Sequence, residues 1–176
     1  MNELSQKIDE NIARVADFPQ KGIQYKDITS LFQQPELCNE MVEVFAEFSR
    51  GKVDAVCGIE SRGFLFGLLI AQKLNLPFVL IRKQGKLPPP TIAESYALEY
   101  GNATIEVQSQ YIAKGQKFLI HDDVLATGGT AEATARLIEK CGGIAAQFSF
   151  IAELSFLNGK EKLNSFTDEI QSLIRY

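Results

Sequence analysis

The sequence predicts an α/β fold in which a central parallel sheet is flanked by helices. Short apolar runs, typical of strands buried on both faces, alternate with segments whose apolar residues recur at helical spacing. Two strands run directly into glycine-containing turns that precede a helix, at 58–63 and 122–130. In parallel sheets such turns meet at the carboxyl edge, where these folds bind ligands. The length of 176 residues predicts one domain over 1–176.

The amino-terminal half is predicted to alternate between helices and strands. Four apolar residues at helical spacing predict an amphipathic opening helix, namely Leu4, Ile8, Ile12 and Val15. A helix is predicted over 35–48, a doubly buried strand over 53–59, a further helix over 63–74 and the next strand over 78–81. A polar, proline-rich stretch follows over 82–94, which is long enough to suggest a functional loop such as a lid.

The carboxy-terminal half continues this alternation. Segments 95–100 and 103–107 predict a β-hairpin that turns at Gly101 and Asn102. The later elements are predicted in the following order: a buried strand over 117–121, a helix over 131–141, a strand over 144–154 and a short apolar piece over 170–174. The alternation predicts a parallel sheet from which the loop and the hairpin form an excursion.

The composition excludes several classes of protein. A net charge of −4 argues against nonspecific binding to nucleic acids or to membrane surfaces. No run of about 18 apolar residues occurs, so no membrane span is expected. Residues 1–7 show no apolar signal-peptide core. Three widely spaced cysteines, Cys38, Cys57 and Cys141, suit reduced thiols in a cytoplasmic protein rather than a disulfide framework or a metal site.

The most informative segment is 118–130, in which an apolar strand leads into two carboxylates, a turn of small residues and a helix. The amides at the helix start, the helix dipole and the turn hydroxyls together suit a phosphate. The predicted phosphate-binding residues are Ala126, Thr127, Gly128, Gly129 and Thr130. Asp122 and Asp123 suit a sugar diol or Mg²⁺ instead. The segment is therefore interpreted as a binding site for a ribose 5-phosphate. The alternative is that it is only a tight connection between a strand and a helix.

This segment does not match the commoner nucleotide-binding loops. Neither the Walker pattern nor the dinucleotide pattern G-x-G-x-x-G occurs, and no lysine follows the glycines. The segment instead resembles the motif by which type I phosphoribosyltransferases bind 5-phosphoribosyl pyrophosphate (PRPP). Further matches at 18–29, 58–67 and 81–101 extend the resemblance over nearly the whole chain. The resemblance implies the type I phosphoribosyltransferase fold, with a small hood at about 1–30 and a flexible lid formed by the loop and hairpin.

The resemblance also assigns roles to the two ends of PRPP. It implies that Asp122 and Asp123 contact the ribose 2- and 3-hydroxyls. Two segments are implied to bind pyrophosphate, with the residues Glu60, Ser61, Arg62 and Gly63 in the first and Arg82, Lys83 and Lys86 in the second. The Arg62 guanidinium suits phosphate oxygens because it can donate a forked pair of hydrogen bonds. A non-proline cis peptide bond is expected in the first segment, at 60–61 or at 61–62.

The residues that would act on the base are also implied by the resemblance. Backbone groups near Gln24 and Lys26 would bind adenine, and the Tyr25 ring would stack on it. Glu99 is the implied acid/base for the purine imidazole nitrogen, and Arg62 is expected to assist catalysis. The only histidine, His121, occupies a position that is more often Val or Ile, which favours a structural role over a catalytic one.

The implied activity is transfer of the 5-phosphoribosyl group from PRPP to adenine, giving AMP and pyrophosphate. Mg²⁺ is implied as the cofactor because pyrophosphate is a poor leaving group until its charge is neutralised. PRPP oxygens and water can fill much of its shell, with Asp122 and Asp123 as candidate ligands. The family is usually dimeric, and the helix over 63–74 is a plausible homodimer contact. Two alternatives remain: transfer to hypoxanthine, guanine or xanthine, and a non-catalytic PRPP-sensing regulator.

Overall fold

A computed structural model describes residues 2–18, 20–22, 24–97 and 101–176. The helices are α1 (Glu3–Asn11), α2 (Pro35–Ser49), α3 (Gly63–Leu74), α4 (Gly129–Lys140) and α5 (Gly159–Leu163). The strands are β1 (Ala13–Ala16), β2 (Gln24–Asp27), β3 (Ala55–Ile59), β4 (Phe78–Lys83), β5 (Ile92–Ala97), β6 (Asn102–Val107), β7 (Lys117–Leu125), β8 (Ile144–Glu153) and β9 (Ile170–Arg175). Short 3₁₀ helices cover Ile28–Gln33, Ser109–Tyr111 and Ser155–Leu157.

The central sheet has seven strands in the order β5-β6-β4-β3-β7-β8-β9. Five neighbouring strands are parallel to one another, namely β4, β3, β7, β8 and β9. At one edge of the sheet, β6 pairs antiparallel with β4, and β5 pairs antiparallel with β6. This arrangement confirms the predicted α/β class with its parallel sheet and its hairpin excursion. A separate two-stranded antiparallel sheet, β1-β2, lies in the amino-terminal region.

Two apolar layers cover the two faces of the central sheet. Side chains of β3 alternate between them, because successive side chains of a strand point to opposite faces. Ala55 and Cys57 belong to the layer completed by α4 and α5, whereas Val56 belongs to the layer completed by α1, α2 and α3. The helices thus bury both faces of the parallel strands, and the carboxyl ends of those strands carry the site.

Several predicted boundaries were wrong, and two of them bear on the site. The opening helix ends at Asn11, and Val15 lies on β1, where it pairs with Tyr25 of β2. Pairing with a distant segment outweighs the helical spacing of the apolar residues. The predicted strand over 117–121 continues to Leu125, because β7 stays paired with β8 as far as Glu153. The two aspartates therefore lie within a strand rather than after it.

The predicted long loop is shorter than expected. Strand β4 continues through Lys83 and β5 begins at Ile92, so the irregular stretch covers 84–91. Helix α3 has the predicted bounds, and α2 extends one residue beyond its prediction. Strand β2 and the short helix α5 were not predicted at all. None of the helices in the described part of the chain combines the length and the apolar character that crossing a bilayer requires.

Candidate active site

Two adjoining cavities lie at the carboxyl edge of the parallel strands. The large cavity has a volume of about 530 Å³, and its lining includes the predicted segments 24–26, 60–62 and 122–123. The small cavity has a volume of about 70 Å³ and is lined by all five residues of the predicted phosphate turn, 126–130. Asp122, Val124 and Ala126 line both cavities. The structure thus brings together segments that are up to about a hundred residues apart in the sequence.

The phosphate turn is built around Gly128. This residue has φ of +76° and precedes α4 as its N-cap, so it offers no capping side chain to the first amides of the helix. Those amides stay available to an anion, and the helix dipole favours negative charge there. A Cβ on Gly128 would lie 2.5 Å from the carbonyl oxygen of Gly159 at the start of α5. Only glycine fits between the turn and α5, a constraint that the sequence did not reveal.

The hairpin β5-β6 contacts this turn directly. The Thr130 hydroxyl donates a hydrogen bond to the Tyr96 hydroxyl at 3.1 Å. Glu94, also on β5, forms ion pairs with Arg136 at 3.1 Å and with Lys140 at 3.5 Å, both on α4. These contacts were not predicted from the sequence, although the alternation along 92–97 indicates that Glu94 and Tyr96 share a face.

Asp122 and Asp123 have different surroundings. The Asp123 carboxylate is 7% exposed and accepts a hydrogen bond from Arg62 Nε at 2.5 Å. The carboxylate of Asp122 accepts a bond from the Asp123 amide at 2.9 Å. Burial, together with the adjacent charge of Asp123, raises the pKa of Asp122 well above its usual value. Perturbed acids of this kind in a cavity are typical of functional sites.

Gly63 serves the packing of this region. It is buried at the start of α3, and a Cβ there would lie 2.8 Å from the His121 carbonyl oxygen and 3.0 Å from Asp122 Oδ1. Its small size lets α3 approach β7 beside the aspartates. In the turn before Gly63, the peptide bond between Glu60 and Ser61 is cis. This confirms the cis bond that was expected at 60–61 or at 61–62.

Arg62 joins three segments that are distant in sequence. Its Nε contacts Asp123 of β7, and its Nη1 donates to the Tyr25 hydroxyl of β2 at 2.6 Å. The Tyr25 ring packs edge-on against Phe18, with 5.1 Å between ring centroids. Burial opposes the charged form of Arg62, but Asp123 outweighs it and the pKa of Arg62 is raised. Its guanidinium is therefore a fixed positive charge in the large cavity.

Glu60 connects the two predicted pyrophosphate segments. Its carboxylate accepts hydrogen bonds from Arg82 Nε at 3.1 Å and from the Lys83 amide at 3.0 Å. Burial alone would raise its pKa, but these partners outweigh burial and lower it, so Glu60 is ionised. Because a carboxylate repels pyrophosphate, the Glu60 side chain is not suited to bind it directly. Its observed contacts instead anchor the second segment to the first. Lys83 and Lys86 are exposed and lie outside the lining of the large cavity.

Glu106 is a functional candidate that the sequence analysis missed. It is 4% exposed on β6, and its carboxylate accepts hydrogen bonds from the Lys86 and Leu87 amides, both at 2.9 Å. Burial opposes ionisation, but these amides outweigh it and lower the pKa of Glu106. The carboxylate thereby fixes the loop after Arg82. The sequence did contain a signal for this residue: Glu106 is a single acidic residue between Ile105 and Val107 in a predicted strand.

Two further predictions concern Glu99 and His121. Glu99 lies outside the described residues, between the end of β5 and the start of β6. His121 is buried against Phe45, with 5.1 Å between ring centroids, and its Nδ1 lies 2.8 Å from the Ser149 hydroxyl. Burial lowers the pKa of His121 to about 3, so the ring is neutral. These contacts support the structural role that was favoured for His121.

Comparison with known proteins agrees with this geometry. The model of the phosphoribosyl transferase domain family matches residues 27–153. An adenine phosphoribosyltransferase of Christiangramia forsetii is 51% identical over 166 residues, which is 94% of this chain and 96% of the relative. The crystal structure of adenine phosphoribosyltransferase from Thermoanaerobacter pseudethanolicus superposes with a TM-score of 0.92 and 42% identity, over 97% of this chain and 99% of that one.

A third comparison concerns a structure with a ligand. The enzyme from Giardia lamblia, complexed with 9-deazaadenine, has a TM-score of 0.90 and 34% identity, covering 100% of this chain and 99% of that one. Fold, site and relatives together place the chain in the phosphoribosyltransferase family. Within that family it belongs with the adenine phosphoribosyltransferases, the purine-salvage enzymes that transfer ribosyl phosphate from PRPP to adenine.

Proposed function

We propose that the two adjoining cavities bind PRPP and adenine together and that this chain thereby makes AMP and pyrophosphate. The observation that carries the proposal is the shared lining: Asp122, Val124 and Ala126 border both the small cavity and the large one. A ribose at this junction would place its 5-phosphate on one side and its reacting C1 on the other. The volumes of about 70 Å³ and 530 Å³ suit a phosphate and a base with pyrophosphate, respectively.

The small cavity is assigned to the 5-phosphate. Its donors would be the backbone amides and hydroxyls of the turn residues Ala126, Thr127, Gly128, Gly129 and Thr130. Asp122 and Asp123 would accept hydrogen bonds from the ribose diol and stabilise positive charge that develops on the ring. Because Asp122 is protonated more readily than a free carboxyl, binding of a cationic or hydrogen-bond-donating partner would favour its ionised form.

The pyrophosphate is assigned to the edge of the large cavity, beside Ser61 and Arg62. The backbone amides of the 60–63 turn would donate hydrogen bonds to it. Arg82 and Lys83 at the end of β4 and Lys86 in the following loop would add positive charge. Arg82 is already anchored to Glu60, whereas the exposed side chains of the two lysines would extend toward the anion. Arg62 would also act in catalysis, since it faces the same cavity as the aspartates.

The base is assigned to the segment Gln24, Tyr25 and Lys26, which lines the other side of the large cavity. Backbone groups near Gln24 and Lys26 would bind the edge of adenine. Glu99 would exchange the proton of the purine imidazole nitrogen while C1 passes through an oxocarbenium-like state. The catalytic contributions would be positioning, charge stabilisation and exclusion of water, which would otherwise hydrolyse PRPP.

Mg²⁺ is the proposed cofactor, and Asp122 and Asp123 are the residues that would hold it. Their carboxylate oxygens are the donors that this ion prefers. Within the described ranges no cluster of three or more His, Cys, Asp or Glu side chains could enclose a metal. PRPP oxygens and water would therefore complete an octahedral shell. When bound, the ion would neutralise charge on the departing pyrophosphate.

We propose a homodimer that forms through α3. Its outer face exposes Leu65 by 49%, Leu68 by 46% and Leu69 by 44%, and Leu80 of β4 lies exposed as well. Contiguous exposed apolar side chains of this kind mark association surfaces. A Leu68→Glu variant should be monomeric by analytical ultracentrifugation while the unaltered chain sediments as a dimer. A monomeric unaltered chain would contradict the proposal.

Three smaller assignments complete the proposal. Residues 1–176 would form one domain, with the hood at about 1–30 within it. The unbridged cysteines Cys38, Cys57 and Cys141 suit a cytoplasmic location. Neither nucleic acids nor membranes are proposed as partners, because the net charge is −4.

One assay tests the activity and separates the alternatives. The protein is incubated with PRPP, Mg²⁺ and, in separate reactions, adenine, hypoxanthine, guanine and xanthine, and the nucleotide products are separated by chromatography. We expect AMP to form far faster than any other product. Faster turnover of a 6-oxopurine would reassign the base, and no nucleotide from any base would favour a PRPP-sensing regulator.

A further inference from the structure

The β1-β2 sheet, which carries the proposed base-binding segment, cannot fix its own position. It has only two strands, and all four residues of β1 are exposed. Two-stranded sheets are marginally stable by themselves in water. The placement of β2 over the large cavity must therefore depend on contacts with the rest of the molecule. One such contact is the bond between Tyr25 and Arg62 inside the site.

A second contact lies outside the cavity, at Tyr176. The Lys26 ammonium lies 4.0 Å from the centroid of the Tyr176 ring, within the range of a cation–π interaction. The Tyr176 hydroxyl donates to Asp9 Oδ1 at 2.8 Å, and Arg14 donates to Asp9 Oδ2 at 2.6 Å. Arg14 is the residue of β1 that pairs with Lys26 of β2. One aromatic ring and one carboxylate thus hold both strands.

Tyr176 is itself fixed to the central sheet. Its amide donates to the Glu153 carbonyl at 2.9 Å, and its own carbonyl accepts from the Ser155 amide at 3.0 Å. Between these two partners lies Leu154, which lines the large cavity. The backbone of Tyr176 is therefore fixed beside the edge of the cavity, and its ring contacts Lys26 of β2.

The charge states at neutral pH maintain this arrangement. Burial and the bond to Asp9 raise the pKa of Tyr176, so its hydroxyl remains a donor. The bonds from Tyr176 and Arg14 lower the pKa of Asp9, so its carboxylate remains an acceptor. Burial followed by the charge of Arg14 lowers the pKa of Lys26 from 10.5, but the side chain stays cationic beside the ring.

We propose that Tyr176 is a positioning residue for the base. By holding Lys26 against the sheet edge, it sets the distance between β2 and the floor of the large cavity and thus the affinity for adenine. This inference rests on the proposed function, in which Gln24 and Lys26 bind the base. PRPP is assigned to other segments, so its binding should depend on Tyr176 much less, through the bond between Tyr25 and Arg62 alone.

The test compares Tyr176→Leu with Tyr176→Phe in steady-state assays. Loss of the ring in Tyr176→Leu should raise KM for adenine roughly three- to tenfold. Its KM for PRPP and its kcat should stay within about twofold of the unaltered chain, which loss of packing alone would not produce. Tyr176→Phe keeps the ring and should restore KM for adenine to within about twofold, although it loses the bond to Asp9.

A double-mutant cycle shows whether Tyr176 acts through Lys26. Lys26→Met removes the charge from the same contact and keeps most of the side-chain volume, so it also serves if Tyr176→Leu does not fold. It should raise KM for adenine by a similar factor, and the double variant should be no worse than either single variant. Additive effects, or equal increases in KM for adenine and for PRPP, would overturn the inference.

Two further variants distinguish a failure of this inference from a failure of the proposed function. Phe48→Leu removes the ring of another lysine contact, in which Lys52 lies 5.3 Å from the Phe48 centroid, and it should leave KM for adenine unchanged. Tyr25→Leu tests the base-binding segment itself. If Tyr25→Leu raises KM for adenine and Tyr176→Leu does not, only the inference fails. If neither variant changes it, the base assignment fails and the inference with it.

Discussion

The two cavities of the site are lined by different kinds of residue. The small cavity is formed mainly by one continuous stretch, 122–131, whose glycines and small side chains leave backbone donors available. The large cavity is formed by segments from β2, the turn after β3, and β7 and β8, and Arg62 joins the first three of these through its hydrogen bonds. Most residues of the small cavity are thus neighbours in the sequence, whereas those of the large cavity come from distant segments.

The difference extends to electrostatics. The small cavity can attract a dianion through a helix start and amides, without a lysine. The shifted carboxyl of Asp122 lies at the border of the two cavities, and the large one also contains the ion pair between Arg62 and Asp123. Perturbed titratable groups concentrate where charge changes during a reaction. We therefore expect substitutions in the small cavity to change PRPP binding, and substitutions of the aspartates and Arg62 to change turnover.

The largest effect is expected at the junction of the two cavities. Asp122→Ala combined with Asp123→Ala removes both carboxylates that are proposed to bind the ribose, and kcat/KM for PRPP should fall roughly 10³-fold or more. Circular dichroism should show an intact fold. Asp54→Ala, at the amino end of the sheet where Asp54 accepts a bond from the Lys117 amide, is the control and should keep normal turnover. Near-normal turnover of the double variant would refute the ribose assignment.

The second prediction concerns the reaction step alone. Glu99→Gln removes the proposed acid/base, so kcat should fall roughly 10²-fold with a much smaller change in KM for PRPP. Steady-state kinetics with each substrate varied in turn measure both parameters. Glu139→Gln, an exposed change on α4, should leave both unchanged. A large rise in KM with little loss of kcat would instead make Glu99 a binding residue.

The same difference explains which parts of the site could be predicted from the sequence. The phosphate turn and helix α3 depend on local patterns, and the sequence predicted the turn residues and both bounds of the helix. The strand β2 has no strong pattern of its own and is defined by pairing with β1. The fit of Gly128 against Gly159 and the capping of the loop by Glu106 also depend on long-range contacts. Such contacts leave little periodic signal in a single sequence.

Resemblance supplied what local patterns could not. The cis bond, expected at 60–61 or at 61–62 and found at the first, and the clustering of 24–26 with 60–62 came from the likeness to a family rather than from spacing. The bond between Tyr25 and Arg62 was not expected, because the two residues were assigned to different ligands. This contact links the proposed base side of the cavity to the proposed pyrophosphate side and to Asp123, so substitution of Arg62 would disturb three segments at once.

The third prediction tests the small cavity. Gly128→Ala forces a side chain into a residue at φ +76° whose Cβ would lie 2.5 Å from a backbone oxygen, so the turn must move. KM for PRPP should rise roughly ten- to a hundredfold, because a displacement of about 1 Å can cost that much. Gly51→Ala is the matched control, since Gly51 has φ +71° and open space around it. It should cost about 1–2 kcal/mol of stability from backbone strain alone and leave KM unchanged. Equal kinetic effects of both variants would show that strain, rather than the fit against α5, is responsible.

The smallest effect is on stability, and it separates Asp122 from acids whose pKa is lowered by folding. Burial and the charge of Asp123 raise the pKa of Asp122 above 3.8 in the folded state, so the folded chain retains a proton that the unfolded chain loses. The associated stability is present at low pH and declines as pH rises through the raised pKa. Asp122→Asn mimics the neutral form, so at pH 7–8 its Tm should exceed that of the unaltered chain by about 2–4 °C. The difference should disappear near pH 4, while activity is lost at every pH.

Asp9→Asn provides the control of opposite sign. The bonds from Tyr176 and Arg14 lower the pKa of Asp9, so its contribution to stability is present at neutral pH and is lost as pH falls through that lowered value. This variant should therefore lower Tm at pH 7, and the loss should shrink in acid. Scanning calorimetry of both variants from pH 4 to pH 8 measures the two opposite trends. If Asp122→Asn also lowers Tm at pH 7, Asp122 is a satisfied carboxylate in the free enzyme, and the electrostatic difference between the two cavities does not hold.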